Sequence, residues 1–352
     1  MNLDDAGTRA AVEAFLAAAA VARAVRVERW TKLAGGAIQE NLLVECVVAG
    51  GRHAGHRQWV LRTDASSAVA TSRSRAEEFA LLGLAHAAGV AVPTPCFLHA
   101  ADAGLPAFFL MEYCEGFAAG HLLTKDKAIA DPAGLLRDIG ANLARIHAIA
   151  VPTQGFAFLG PATGTPTRDY LTGARAYLDH WRSRFEDVYP ALEWGIHAWL
   201  ARVPDGEDVV LAHRDFRIGN LLVADSRLRA ILDWEFAGWA NPLEDLGWLC
   251  APCWRFNARQ RVAGGIGAAA DLLAGYNAVR GTRWREQDLV PWQALAQIRW
   301  AIIALQQAER YLGGGERSLE LALTGRMVPE LEHDLLALLA RWETMRAGGP
   351  AS

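Results

Sequence analysis

The feature that most constrains the fold is a change of apolar period about a third of the way along the chain. Residues 25 to 63 read as three strands, AVRVERWTKL, ENLLVECVVA and RQWVLRT, parted by Gly pairs and a polar Gly-His turn. SRAEEFALLGLAHAAG then carries apolar residues at helical spacing and stops at Gly89, with Pro93 just beyond. PTPCFLHA and PAFFLMEYC supply two more strand-like runs. A five-stranded sheet with one internal helix after its third strand is therefore expected. From Gly116 the pattern turns helical, most clearly in PAGLLRDIGANLARIHAIA. Segments rich in Trp and Tyr continue to about residue 203, three short strands surround VVLAHRDFRIGNLLV, and residues 243 to 346 are helical again. The alanine-rich start reads as a further helix over residues 8 to 24.

A chain of 352 residues is too long for one ordinary core, so two packed lobes are expected. The change of period puts their boundary near Tyr113 to Gly116: a mostly-β lobe over residues 1–113 and a larger, mostly helical lobe over 114–352. At 52% hydrophobic and 21% charged residues the composition is globular, and no apolar run is long enough to span a bilayer. The N-terminus lacks a basic segment and carries Asp4 and Asp5, which argues against a secretory signal and for a cytoplasmic protein. The net charge of -4 argues against a nucleic-acid partner. Five scattered cysteines suggest reduced thiols. Cys250 and Cys253 form a lone CxxC in apolar surroundings, without the second pair a zinc site needs, and read as core.

His213, Asp215 and Asn220 are spaced HxDxxxxN, and Asp233 follows in RAILDWE. Phosphoryl transfer explains this set. One aspartate accepts the proton of an attacking hydroxyl, while an asparagine and a second aspartate hold the magnesium that bridges nucleotide phosphates. Turn capping would explain any one of these residues but not the spaced group. Arg217 is two residues from Asp215, where a cation would offset charge on the transferred phosphoryl group. Arg214 and His213 are read as structural, and Glu235 as a residue that contacts metal or substrate or supports the loop.

HRDFRIGN followed by ILDWEFAGWANPLEDLGWL resembles the phosphotransferase family of aminoglycoside phosphotransferases and choline kinases, relatives of the protein kinases, over nearly the whole chain. The resemblance implies a bilobal α+β kinase-like fold binding ATP and Mg²⁺. It puts Gly35 and Gly36 of KLAGGAIQEN in the nucleotide loop, Arg62 of WVLR at the phosphate-binding cation of the third strand, and Glu78 at its helix partner. Met111, Glu112 and Tyr113 fall in the adenine-binding hinge, and LARIHAI resembles the helix before the acceptor region. Asp215 is then the base, Arg217 the phosphoryl cation, and Asn220 and Asp233 the metal ligands. The chain departs from the family in three places. Arg62 stands for a lysine, as in a branch resembling kinase domains fused to acyl-CoA dehydrogenases. The loop lacks a full GxGxxG, and Ala240-Asn241 replaces Gly-Asp, with Asp245 left to brace the loop.

A protein kinase is the nearest competitor, but the stretch from Ala150 to Val209 intervenes before the catalytic loop, and no Ala-Pro-Glu motif follows Asp233. A nucleotide-binding pseudokinase acting as an interaction module is a second alternative, supported by Arg62 and the thin glycine loop. The expected partner is a small-molecule hydroxyl acceptor. Polycationic aminoglycosides want an acidic pocket, whereas the helical lobe is near charge balance. Arg255, Arg259, Arg261, Arg299 and Arg310 would suit an anionic acceptor, or else form solvated faces and ion pairs. Trp239 and Trp254 are candidates for the acceptor pocket, and the other tryptophans of this lobe for core.

Overall fold

The computed structural model describes residues 4–33, 39–64, 72–162, 164–203, 206, 208–314 and 318–347. The loop with Gly35 and Gly36 lies outside them. Helix α1 (Ala6–Ala19) starts on Asp5, whose carboxylate accepts the Thr8 amide at 2.8 Å. It ends earlier than its alanine-rich sequence suggests. Val21 adopts a φ of 51° and turns the chain into strand β1 (Ala24–Lys32), a stop that no Gly or Pro announces.

Strands β2 (Gln39–Ala49) and β3 (Gly55–Asp64) follow, then helix α2 (Arg75–Ala87), β4 (Pro95–His99) and β5 (Phe108–Glu112). The five strands form one antiparallel sheet in the order β1-β2-β3-β5-β4. Ser74 and Glu77 cap α2 reciprocally. Because side chains alternate along a strand, β3 splits WVLR between two faces. Trp59 and Leu61 join Val12 and Leu16 of α1 in one core. Val60 packs with Leu81, Leu82, Phe109 and Met111 on the other face. Arg62 has the parity of Val60, which aims it at the second lobe.

That lobe contains α3 (Gly120–Leu123), α4 (Pro132–His147), α5 (Pro166–Phe185) and α6 (Pro190–Leu200), then two short ribbons. Strand β6 (Val210–Ala212) pairs with β9 (Gly238–Ala240), and β7 (Leu221–Ala224) with β8 (Arg227–Ile231), all antiparallel. There are four strands where the sequence suggests three, because three residues of β9 are too few to display a period. Helices α7 (Pro242–Cys250), α8 (Ala269–Arg280), α9 (Val290–Leu312), α10 (Leu319–Gly325) and α11 (Val328–Ala347) complete the described chain. Between α7 and α8 the chain is irregular rather than helical: Pro252 opens a single 3₁₀ turn, and Gly264 and Gly265 sit at φ of 57° and 71°.

Helices α4 and α8 approach closely through reciprocal glycines. A methyl group on Gly140 would strike the carbonyl of Leu272, and one on Gly275 would strike that of Arg137. Trp181, Trp199 and Trp292 fill a second core between α5, α6, α9 and α11. Among the described residues no helix is long and apolar enough to cross a membrane.

Candidate active site

The stretch 209–223 runs from β6 through a loop over residues 213–220 into β7, and Asp245 in the first turn of α7 holds the loop in shape. That carboxylate accepts the backbone amides of His213 and Arg214, each at 2.7 Å, and also meets His147 Nε2 at 3.1 Å. Burial raises the Asp245 pKa, but the hydrogen bonds and charge of His147 and His213 outweigh it and hold the carboxyl below its ordinary range. His213 reaches across to the Leu232 carbonyl at 3.0 Å, joining the loop to the β8 exit that carries Asp233. Arg214 and Asp233 both have positive φ, 64° and 68°, an unusual conformation for residues with a Cβ.

Asp215 lies on this loop with its side chain 14% exposed, and neither it nor Arg217 lines the cleft described below. Trp248 Nε1 donates to Oδ1 at 3.0 Å, and Asn220 Nδ2 and Arg217 Nε donate to Oδ2 at 2.7 and 3.2 Å. Asn220 Nδ2 also donates to the Asp215 carbonyl at 2.9 Å, and among the described residues no donor reaches the Asn220 amide oxygen. The Arg217 guanidinium lies 5.2 Å from the centre of the Trp254 ring.

Arg62 enters from the sheet. Its side chain, 5% exposed, pairs with Glu78 at 2.9 Å and with Asp233 Oδ1 at 2.5 Å. Glu78 also carries Arg75. Burial raises the Asp233 pKa, yet the charge and hydrogen bond of Arg62, with Arg217 and His213 beyond, bring it below the usual carboxylate value. Its second oxygen has no partner among the described residues. Asn220 and Asp233 thus offer two hard oxygen donors to one cleft, a set that fits Mg²⁺.

The cleft has a volume of about 570 Å³ and collects most of the residues that the sequence points to: Arg62, Glu78, Met111, Glu112, Tyr113, Asn220 and Asp233. Leu33, Val60, Leu82, Leu222 and Ile231 make its walls apolar, and Cys114, Phe117 and His121 extend the hinge side. These flanking residues escape sequence reasoning because each looks like ordinary core or loop. Phe117 stays 44% exposed although its backbone bridges to Val223 in β7. Two supports of the loop, His147 and Trp248, were also illegible, since neither lies near Asp215 in sequence.

Glu235 is 2% exposed and accepts the Ser72 hydroxyl. Trp239 donates to the Gly160 carbonyl at 3.0 Å, while Trp254 packs at a tilt between Trp248 and Trp300, with ring centres 5.3 and 5.0 Å away. Several arginines expected on solvated faces tie elements together instead. Arg299 links Glu244 to the Arg214 carbonyl, Arg255 binds the Cys250 carbonyl, and Arg259 pairs with Asp334. Cys250 is buried among apolar groups, which push its thiol up to about 12.

A small antiparallel sheet with one interior helix, stacked on a helical lobe that carries Asp215 and Asn220 on one loop and Asp233 after β8, defines a kinase-like phosphotransferase fold. The phosphotransferase enzyme family model matches residues 29–282, and the chain belongs to that family. Acyl-CoA dehydrogenase family member 11 from Rattus norvegicus is 25% identical over 305 residues, covering 82% of this chain and 38% of the relative. The Homo sapiens protein of the same name is 25% identical over 266 residues, covering 72% and 33%. The chain therefore spans between a third and two fifths of the length of these relatives. Among solved structures, a Ralstonia eutropha protein assigned to the aminoglycoside phosphotransferases superposes with a TM-score of 0.70 at 18% identity, covering 94% of this chain and 98% of its own. A spectinomycin phosphotransferase crystallised with ADP and spectinomycin superposes with a TM-score of 0.61 at 11% identity, over 94% and 98%.

Proposed function

We propose that this protein is an ATP-dependent kinase that phosphorylates a hydroxyl group of a small molecule. The observation that carries the reading is the convergence of Asn220, Asp233 and the Arg62–Glu78 pair on one apolar-walled cleft, with Asp215 hydrogen-bonded to Asn220 beside it. In this reading residues 1–113 form the nucleotide lobe and 114–352 the acceptor lobe. Adenine lies against the hinge at Met111 to Tyr113, and Gly35 and Gly36 belong to the loop over the phosphates. Asn220 and Asp233 would hold Mg²⁺, which when bound draws charge from the phosphates.

Asp215 accepts the proton as the acceptor oxygen bonds to the γ-phosphorus and the bond from that phosphorus to the β,γ-bridging oxygen breaks, releasing ADP. Arg217 is tethered between Asp215 and the Trp254 face, and there it steadies the charge on the phosphoryl group in flight. Arg62, once released from Asp233, turns its guanidinium to the phosphates while Glu78 retains it. Positioning and charge stabilisation supply most of the rate.

A nucleotide-binding pseudokinase is the second reading, favoured by the 2.5 Å contact in which Arg62 occupies one oxygen of the proposed metal ligand Asp233. Helices α5 and α6, between α4 and the catalytic loop, oppose a protein kinase. One experiment separates the first two readings: melting temperature against ATP, ADP and a non-hydrolysable analogue, with and without Mg²⁺, followed by ADP release in the presence of hydroxylated acceptors. A kinase shows magnesium-dependent stabilisation and acceptor-dependent ADP release that Asp215→Ala abolishes while sparing nucleotide affinity. Nucleotide stabilisation indifferent to magnesium, with no turnover, would favour the pseudokinase.

A further inference from the structure

Two guanidinium groups from different lobes meet beside the catalytic loop without a carboxylate between them. Arg73, just before α2, crosses to the segment after Asp233. Its backbone amide donates to the Glu235 carbonyl at 2.9 Å, Nε to the Ala237 carbonyl at 3.2 Å, and Nη1 to the Phe158 carbonyl at 3.0 Å. Nη2 is left over. Arg214 comes from the catalytic loop, and its Nε is buried with no hydrogen-bond acceptor among the described residues. A methyl group on Gly238 would sit 3.3 Å from Arg73 Nη2 and 3.6 Å from Arg214 Nη1, so both cations come to the same corner of β9.

Nearby carboxylates do not fill that corner. Arg73 has no ion-pair partner among the described residues. Arg214 has only Glu244 Oε1, 3.6 Å from Nε, and Arg299 already takes that oxygen at 2.5 Å. Glu77 lies within electrostatic reach of Arg73, but its carboxylate is bound to the Ser74 amide in the α2 cap. Two half-buried like charges at close range repel, and fixing them with neutral carbonyls leaves that repulsion in place. An oxyanion shared by both would offset it and accept the spare N–H groups.

We propose that Arg73 and Arg214, whose guanidinium groups both come to Gly238, form an oxyanion seat that takes a phosphate or carboxylate group across the two lobes. Resting on the kinase reading, the ligand is the anionic end of the acceptor, because Arg214 directly precedes Asp215 in the loop. A free phosphate is the other source of the same chemistry.

The test titrates inorganic phosphate against the full chain saturated with ADP and Mg²⁺, reading melting temperature. Arg73→Gln, Arg214→Gln and Gly238→Ala are compared with Arg227→Gln, an exposed arginine outside the seat. Gly238→Ala keeps both arginines, so it tests the seat even where an arginine variant folds poorly. Phosphate should stabilise the parent and Arg227→Gln alike, and each seat variant should weaken phosphate about tenfold, the scale of one charge-assisted hydrogen bond. Equal stabilisation of all variants, or none of the parent, overturns the seat. If ADP gives no shift, the kinase reading fails separately, and the phosphate titration is repeated without nucleotide and judged by the same outcomes. ADP release with glycerol and with glycerol 3-phosphate then assigns the source. A preference for the anionic alcohol that Arg73→Gln removes identifies the acceptor, and phosphate binding without such a preference identifies a free anion.

Discussion

Trp248 donates its indole N–H to Asp215 Oδ1 at 3.0 Å, across 33 positions of sequence. With Asn220 and Arg217 on the other oxygen, the carboxylate is fixed at both ends. Trp248 is itself held under Arg299, 4.9 Å from the ring centre, and is 2% exposed. Trp248→Phe keeps the ring and removes the donor. Steady-state kinetics should show kcat reduced by about ten- to a hundredfold, the equivalent of about 1.5–3 kcal/mol for a hydrogen bond to a charged group, with acceptor KM little changed. An unchanged kcat would mean that Asp215 does not need this anchor.

Arg62 is the centre of a buried charge network that also includes Glu78, Arg75 and Asp233. Arg62→Met leaves Asp233 without its ion pair and Glu78 with Arg75 alone. Denaturant unfolding should show a loss of about 3–5 kcal/mol, as for removing one member of a buried pair. Arg62→Lys keeps the charge but cannot bridge two carboxylates with separate nitrogens of a planar fork. It should fold and bind ADP more weakly than the parent by calorimetry.

Asp245 gathers the catalytic-loop amides, so Asp245→Asn should destabilise the protein at neutral pH by about 2–4 kcal/mol, because a buried charged acceptor is lost. The pH dependence follows from the depressed folded-state pKa. A carboxylate held below its unfolded value contributes stability that is fully present above that value and is lost as pH falls through the folded one. The stability gap between the parent and Asp245→Asn should therefore be constant from pH 7 to about pH 5 and narrow below about pH 4. Urea titrations at pH 7 and pH 3 would measure it, and a gap that widens in acid would contradict the assignment.

The contact between α4 and α8 leaves no room for a methyl group at Gly140 or Gly275. Either Gly→Ala change forces the helices apart. It should cost about 1–3 kcal/mol in thermal or chemical unfolding, despite the better helix propensity of alanine. Gly173 in α5 has nothing within 4 Å of an added Cβ, and Gly173→Ala should be neutral or mildly stabilising.

What the sequence determined by itself is whatever depends on local period and spacing. Alternation in AVRVERWTKL and WVLR announces strands, the 3.6-residue spacing of PAGLLRDIGANLARIHAIA announces α4, and HRDFRIGN with Asp233 announces a phosphotransferase loop. Short elements escaped this reading: β9 has three residues, and the turn that ends α1 falls in an unbroken run of small apolar residues. Tertiary structure decided which polar groups meet. Arg62 and Asp233 are separated by 171 positions, Arg73 and Gly238 belong to opposite lobes, and His147 and Trp248 reach the loop from helices that read as ordinary core. The physical reason is that buried donors and charges must find partners wherever packing brings them, and packing answers to the shape of the whole core rather than to any window of sequence.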